Sequence, residues 1–241
     1  MRTDGLSNVQ AIDLTNYYTF TVTSANATAG ATYTNNSKTF TVVTTIASGT
    51  TLVCTGTGAP SSSGTLTKAS GTGDATITFS ANVQGVSAFT ISSLNSTTKY
   101  MFTFNIQSVS TPGNINLTFN GDSGANYTWS QMFGRSADNG NGTNGSCGNT
   151  PCNSTSNYFL LGATVGKLSH SQKGILFFEA ENANANYVSF QALASGVANS
   201  NSYVYSTWSG GEYTGSGTLS SLTITASAGY LSGKGTLSAI N

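Results

Sequence analysis

Two glutamates separated by one residue are the arrangement in this sequence most suggestive of catalysis. Glu179 and Glu181 share a face if the strand that contains Glu179 continues. Hydrolysis of a polysaccharide requires two carboxyl groups roughly 5–10 Å apart across the sugar. However, Glu179 ends an apolar stretch and Glu181 begins an Asn-rich one, as expected where a strand ends in solvated charge. The pattern therefore favours strand termination over a catalytic pair.

A catalytic triad would have to use His170, because it is the only histidine. Its context, KLSHSQKG, lacks the nucleophile elbow that accompanies many Ser-His-Asp sites. A solvated loop histidine explains the residue without any chemistry. Since neither candidate for catalysis is supported, we expect a protein that is not an enzyme.

Oxygen-bearing side chains cluster at Asn120, Asp122 and Asn126. Carboxylate and amide oxygens are the ligands that Ca²⁺ takes in proteins. A single carboxylate supplies little charge for a divalent ion, and hydrogen bonds within Asx turns explain the same residues. The pattern favours turns, with a Ca²⁺ site as the alternative, and we expect no other cofactor.

Aromatic residues near predicted turns suggest a platform for a sugar ring. Trp208, in the context STWSGGEY, is flanked by polar residues and glycines, and Tyr213 follows shortly after it. Trp129 is a third candidate. Packing in the core is the alternative for all three, and it is favoured for Trp129, which we expect at a sheet edge.

The cysteines are too few for a disulfide framework. Cys147 and Cys152 lie in a Gly/Asn-rich loop and are separated by GNTP, so they can close a local disulfide. Two free thiols are the alternative. We expect Cys54 to be a small buried hydrophobic residue.

Asn-X-Ser/Thr sequons are frequent, as expected by chance in a chain rich in Asn, Ser and Thr. They carry glycans only if the protein passes through a glycosylating secretory route. The acceptor residues would be Asn26, Asn35, Asn95, Asn116, Asn126, Asn141, Asn144 and Asn153.

The chain of 241 residues has very few charges. Charged residues make up 7% of the sequence, against roughly 25% in ordinary soluble domains. Eight basic and eight acidic residues cancel, which argues against a nucleic-acid partner. No apolar run approaches the roughly 20 residues that span a bilayer, so we expect no membrane insertion. The abundance of Thr, Ser, Gly and aromatic residues favours strands over helices.

The first strong alternation of apolar and polar residues places Ile12, Leu14, Tyr18 and Phe20 on one parity. A single strand that ran from Ile12 to Val22 would be longer than most strands in proteins. We predict that residues 1–16 form an N-terminal tail or donated strand that pairs with a neighbouring subunit by β-strand addition. An ordinary first strand preceded by a frayed tail is the alternative.

The rest of the chain predicts two antiparallel β domains. Residues 17–82 form short strands between Gly/Ser/Asn turns and make a small Thr/Gly-rich β domain, while residues 83–241 have the strands of a jelly-roll-like β-sandwich. At the centre of the second domain, Ile115, Leu117 and Phe119 alternate with polar residues, and alternation resumes at Tyr127. Between them, residues 120–124 carry turn chemistry. This pattern predicts a β-hairpin.

Two stretches resemble structural proteins of tailed bacteriophages. The segment TAGATYTNNSKTFTVVTTIASGTTLVCTGTG is similar to a module found in such proteins, and the order FTISSL, YMFTFNI, LTFNGDSGANYTW, GILFFE and SLTITASAG is similar to their carboxy-terminal β domain. The last strand departs from the aromatic-glycine ending of those proteins, since it finishes with Ala239-Ile240-Asn241. The resemblance implies a structural or host-contact role outside a cell, and it transfers no catalytic residue.

Together, these patterns predict a non-enzymatic subunit of an extracellular or virion assembly, such as a phage tail, fibre or decoration protein. It would associate with copies of itself through strand edges, as a homo-oligomer or a helical filament. The N-terminal segment MRTDGLSNVQAIDL has no apolar signal region, which favours a virion protein over an exported one. The alternatives are a module that binds carbohydrate or a host receptor, with a cell-surface glycan as partner, and a cellular pilus-like fibril subunit.

Overall fold

The computed structural model describes residues 9–135, 155–156, 158–161, 170–180, 187–197, 204–215 and 217–240. These residues form β-strands, turns and one 3₁₀ turn, Leu14–Asn16, and they contain no α-helix. None of the described segments is therefore a helix able to cross a bilayer. The strands are, in chain order, β1 (Val9–Asp13), β2 (Tyr17–Ala27), β3 (Thr32–Asn35), β4 (Lys38–Val42), β5 (Ile46–Gly56), β6 (Gly64–Ser70), β7 (Thr76–Gln84), β8 (Ala88–Ser92), β9 (Lys99–Val109), β10 (Ile115–Phe119), β11 (Tyr127–Arg135), β12 (Thr155–Ser156), β13 (Phe159–Leu160), β14 (Gln172–Ala180), β15 (Val188–Val197), β16 (Val204–Tyr213), β17 (Ser221–Ala226) and β18 (Tyr230–Ile240).

The chain divides into two compact units. One is Asp13–Val86, and the other comprises the residues up to Ile12 together with those from Ser87 onward. The first unit is a closed barrel with the strand order β2-β5-β4-β3-β6-β7, closed by pairing of β7 with β2. The second unit contains an eight-stranded sheet, β1-β18-β9-β14-β15-β16-β11-β12, and a four-stranded sheet, β13-β10-β17-β8. The predicted all-β, antiparallel fold class is confirmed.

The barrel is filled by aromatic side chains from alternate positions of its strands. Phe20 is fully buried and meets Phe40 and Phe79 edge to face, with ring centroids 5.3 and 5.0 Å apart. Tyr18 approaches Phe40 in the same way at 5.6 Å. Burial of each phenylalanine contributes roughly 1.5–3 kcal/mol, and edge-to-face contacts add to this. These rings explain why a small barrel with a Thr-rich surface has a stable core.

The two sheets of the second unit pack face to face through aromatic rings. Phe119 of β10 lies 5.4 Å from Phe178 of β14 and 6.0 Å from Phe190 of β15. Phe159 of β13 lies 4.4 Å from Phe190. Since β10 and β13 belong to the small sheet and β14 and β15 to the large one, these contacts form the core of a β-sandwich.

The predicted hairpin at residues 115–129 is wrong. β10 pairs with β13 and β17 in the small sheet, whereas β11 pairs with β12 and β16 in the large sheet. The turn carries the chain from one sheet to the other, and Asn120 and Gly121 adopt positive φ angles of 55° and 67° there. Alternation along a strand identifies its buried face, but it does not identify its partner.

The predicted long N-terminal strand is also interrupted. Asp13 accepts a hydrogen bond from the backbone N–H of Thr15 at 3.0 Å and caps the 3₁₀ turn that follows. β1 therefore ends at Asp13 and pairs with β18 at the edge of the large sheet. Of the four predicted assembly residues, Ile12 lies in β1 and Leu14 is buried in the turn. Tyr18 and Phe20 belong to the core of the barrel.

Candidate binding groove on the large sheet

The face of the large sheet that points away from the small sheet is unusually apolar, and we call it the outer face. Trp208 on β16, Leu193 on β15 and Met132 on β11 are 59%, 58% and 55% exposed. The strand register places Trp208 opposite Leu193 on one side and opposite Met132 on the other. Ile175 on β14 is opposite Leu193. Cross-strand neighbours on one face are in contact range, so these residues form one row across four strands.

The adjacent row contains a position without a side chain. It runs from Phe177, which is 45% exposed, through Gln191 and Gly210 to Ser130. A Cβ atom at Gly210 would lie 3.4 Å from the Phe190 carbonyl oxygen, an ordinary contact. Packing therefore does not require glycine here, and its lack of a side chain leaves the surface open between Gln191 and Ser130.

The third row is polar. Glu179, Ser189 and Glu212 lie opposite one another across β14, β15 and β16. Lys99 on β9 is paired with Glu179, and its Nζ lies 2.7 Å from the carboxylate. Both side chains are substantially exposed, so this pair adds little stability. Residues from all three rows line an open groove of about 690 Å³, a size within the usual range of small-ligand sites.

The described residues that line this groove carry a net negative charge. Its lining includes the carboxylates of Glu179 and Glu212 and the ammonium group of Lys99. Lys99 is already paired with one of the two carboxylates. An anionic ligand would therefore meet repulsion from Glu212, whereas an uncharged ligand would meet hydrogen-bonding groups beside exposed aromatic rings.

Of the three aromatic residues predicted to bind sugar, the structure places one in the groove. Trp208 lines it. Tyr213 is 1% exposed and packs on Tyr127 with ring centroids 4.9 Å apart. Trp129 is half-buried and donates its Nε1–H to the Tyr158 carbonyl oxygen at 3.1 Å. Residues 208 and 213 are five positions apart on one strand, so their side chains point to opposite faces; the prediction of a shared platform was wrong.

The cluster predicted as a possible Ca²⁺ site is a network of hydrogen bonds. Asp122 accepts from the Gly124 backbone N–H at 2.7 Å, from Asn126 Nδ2 at 2.8 Å and from the Tyr213 hydroxyl at 3.0 Å. These hydrogen bonds lower the pKa of Asp122. Asn126 presents its amide N–H to Asp122, which leaves the Asn126 oxygen facing away from the carboxylate. The arrangement corresponds to the turn interpretation of these residues.

Asn120 uses its side chain to connect two segments that are distant in sequence. Its Oδ1 accepts from the Ser220 backbone N–H at 2.8 Å and from the Ser221 N–H at 3.3 Å, and its Nδ2 donates to the Thr218 carbonyl oxygen at 3.1 Å. Asn120 therefore holds the start of β17 beside the turn that leaves β10. Among the described residues, no group of three or more His, Cys, Asp and Glu side chains is arranged to hold a metal ion.

The remaining predicted sites do not line the groove or lie outside the described residues. His170 is exposed. Cys54 is fully buried in the barrel, and burial raises the pKa of its thiol to about 12. Glu181, Cys147 and Cys152 lie outside the described residues, so the disulfide stays a prediction, as does the interpretation of Glu179 and Glu181 as the end of a strand rather than a catalytic pair.

The sequons differ in how accessible their amide nitrogens are. Asn26 and Asn95 are exposed, and Asn116 is half-buried. Asn35 donates its Nδ2–H to the Thr65 carbonyl oxygen, and Asn126 donates to Asp122. Asn141, Asn144 and Asn153 lie outside the described residues.

Sequence reasoning missed most of the groove, although one signal was present. Phe177 and Phe178 are consecutive, so a strand must direct one of them to each face. Phe178 is buried in the core and Phe177 lies in the groove. Gln191 and Gly210 gave no comparable signal, because their significance depends on which strands are neighbours.

No protein-family model, curated protein or solved structure matches this chain.

Proposed function

We propose that this protein is a non-enzymatic structural subunit of an extracellular or virion assembly, of the kind found in the tails, fibres or decorations of tailed bacteriophages. It associates with copies of itself through strand edges. The observation that carries the proposal is the position of β1. This short strand ends the large sheet beside β18, and no other described strand pairs with its outer edge.

The attachment of β1 suits exchange between subunits. Residues 9–12 of β1 belong to the sandwich unit, while the chain from Asp13 to Val86 belongs to the barrel unit. The two are joined through the 3₁₀ turn Leu14–Asn16. The backbone hydrogen bonds of β18 are satisfied equally well by the β1 of the same chain or of a neighbouring chain, which is the basis of domain swapping and strand addition.

The exposure of β1 and the low charge of the chain support the same proposal. Val9 is 58% exposed at the outermost strand, so its side chain is accessible to a neighbouring chain. The eight acidic and eight basic residues cancel, so copies of the chain meet little electrostatic repulsion when they pack closely. A sparsely charged surface without net charge thus favours repeated contacts between identical subunits.

The test compares the full chain with a variant that lacks residues 1–11, by light scattering and negative-stain electron microscopy. We expect discrete oligomers or filaments from the full chain and monomers from the truncated variant. The matched control lacks residues 1–8 and retains β1, so it should still assemble. A full chain that stays monomeric at high concentration would overturn the proposal.

A second variant separates loss of pairing from loss of folding. Alternate residues of a strand direct their N–H groups to opposite edges, so one of Gln10 and Ala11 donates toward β18. The double substitution Gln10→Pro, Ala11→Pro removes that donor whichever residue it is. It should abolish assembly while the fluorescence of Trp129 and Trp208 stays native. Assembly that survives both this variant and the truncation would exclude β1 as the coupling strand.

A further inference from the structure

We infer that the groove on the outer face, whose lining includes no residue of β1, binds a neutral oligosaccharide. Its central feature is the exposed indole of Trp208. Sugar rings carry C–H groups on their faces and hydroxyl groups at their edges. A flat aromatic ring with polar side chains in the neighbouring rows complements both parts, because its face attracts weakly positive C–H groups.

The polar partners are positioned for the edges of such a ligand. Gln191 and Ser130 flank the open surface at Gly210, in the row next to Trp208. Glu212 and Ser189 lie one row further. Along β16, the distance from Trp208 to Glu212 is about 13 Å at roughly 3.3 Å per residue. This length suits several linked sugar rings lying along the strand better than a single ring.

The charge of the groove selects among glycans. Glu212 faces the same groove as the Lys99–Glu179 ion pair. Uronic-acid, sialylated or sulfated glycans would bring anionic groups close to the carboxylate of Glu212, which is unfavourable. Uncharged sugars can instead donate hydroxyl hydrogen bonds to it, and charge-assisted hydrogen bonds of this kind are strong.

A second copy of the chain is the other possible occupant, and Gly210 argues against it. The local packing tolerates a Cβ at this position, yet the surface is open there. An open position between polar side chains fits a ligand that enters the groove better than it fits the flat face of a second sheet. The groove contains no residue of β1, so this inference does not rest on the assembly proposal.

The test is affinity electrophoresis of the full chain in native gels that contain dextran, yeast mannan, galactomannan or xyloglucan, with alginate as the anionic comparison. We expect retardation by at least one neutral polysaccharide and none by alginate. Trp208→Ala should weaken binding at least about ten-fold, since loss of one stacked ring corresponds to about 1.4 kcal/mol or more. Gly210→Val should abolish binding, because the valine side chain fills the open surface between Gln191 and Ser130.

The matched control is Ser206→Ala, because Ser206 is exposed on the same strand and the same face but does not line the groove. This variant should bind as the original chain does. The inference is overturned if none of the neutral polysaccharides retards the protein, or if retardation survives both Trp208→Ala and Gly210→Val. It is also overturned if Trp208→Ala dissociates an oligomer but leaves the retardation by polysaccharide unchanged, since the face would then be a contact between copies.

Discussion

The hydrogen bond between Tyr213 and Asp122 predicts a measurable energetic coupling. Tyr213 ends β16 in the large sheet, whereas Asp122 lies in the turn that leaves β10 of the small sheet. The perturbations are Tyr213→Phe, Asp122→Ala and the double variant. Tyr213→Phe removes only the hydroxyl, because the ring that packs on Tyr127 and Phe119 is retained.

The magnitudes follow from the number and type of hydrogen bonds lost. A hydrogen bond to a charged group contributes about 1.5–3 kcal/mol, and the lower end applies here because Asp122 is only half-buried. We therefore expect Tyr213→Phe to lower the free energy of unfolding by about 1.5 kcal/mol. Asp122→Ala also removes the acceptors for Gly124 and Asn126, so we expect a loss of about 2–4 kcal/mol.

The assay is urea denaturation followed by tryptophan fluorescence. The two tryptophans, Trp129 and Trp208, both lie in the sandwich unit, so the signal reports the unfolding of that unit. In the double-mutant cycle we expect a coupling of about 1 kcal/mol between the two positions. Tyr187→Phe is the control, because Tyr187 is 48% exposed, and it should change stability by less than about 0.5 kcal/mol.

The reasoning would be refuted by additive effects. If the double variant loses the sum of the two single losses to within about 0.3 kcal/mol, Tyr213 and Asp122 do not interact energetically. A loss on Tyr213→Phe no larger than that of Tyr187→Phe would lead to the same conclusion.

Three further predictions concern acid stability, thiol reactivity and the barrel backbone. The pKa of Asp122 is lowered from its ordinary value of 3.8. The ionised carboxylate therefore stabilises the fold fully above that pH, and this stabilisation is lost as the pH falls below it. In urea titrations near pH 5 and near pH 3, the acid-induced loss of unfolding free energy should be smaller for Asp122→Ala than for the original chain. Cys54, whose pKa is raised to about 12 by burial, should react with iodoacetamide only when the barrel opens, as measured by peptide mapping, and rapid labelling under native conditions would contradict its placement. Gly73 has a φ of +130°, and a Cβ there would collide with the carbonyl oxygen of Asn26, so Gly73→Ala should destabilise the barrel by about 1–3 kcal/mol and accelerate Cys54 labelling. Gly30→Ala, also at positive φ but with nothing within 4 Å, should have a smaller effect.

The buried faces of the strands could be predicted because alternation is a local property. Leu117 and Phe119 were placed correctly in a core, and both are fully buried. The partners of these strands could not be predicted, since β10 pairs with β17, more than a hundred residues away. Although residues 120–124 have the composition of a tight turn, the strands they join, β10 and β11, belong to different sheets.

The candidate groove was only partly predictable for the same reason. Trp208 was recognised from its polar and glycine-rich neighbours in the sequence. Its spatial neighbours, Leu193 and Met132, come from two other strands whose register is set by long-range pairing. Tyr213 was assigned to the same platform because it is close to Trp208 in sequence. Residues five apart on one strand, however, point to opposite faces of the sheet.

The pairing of β1 with β18 determines when each part of the protein can fold during synthesis. The barrel consists of consecutive residues and can close once Val86 has left the ribosome. The sandwich pairs β8 with β17 and β9 with β18, so it must wait until Ile240 has been made. At roughly 5–20 residues per second, this delay lasts about 8–30 s. Throughout it, β1 has no β18 of its own chain to pair with, and we expect a completed copy released nearby to be the first molecule able to capture it.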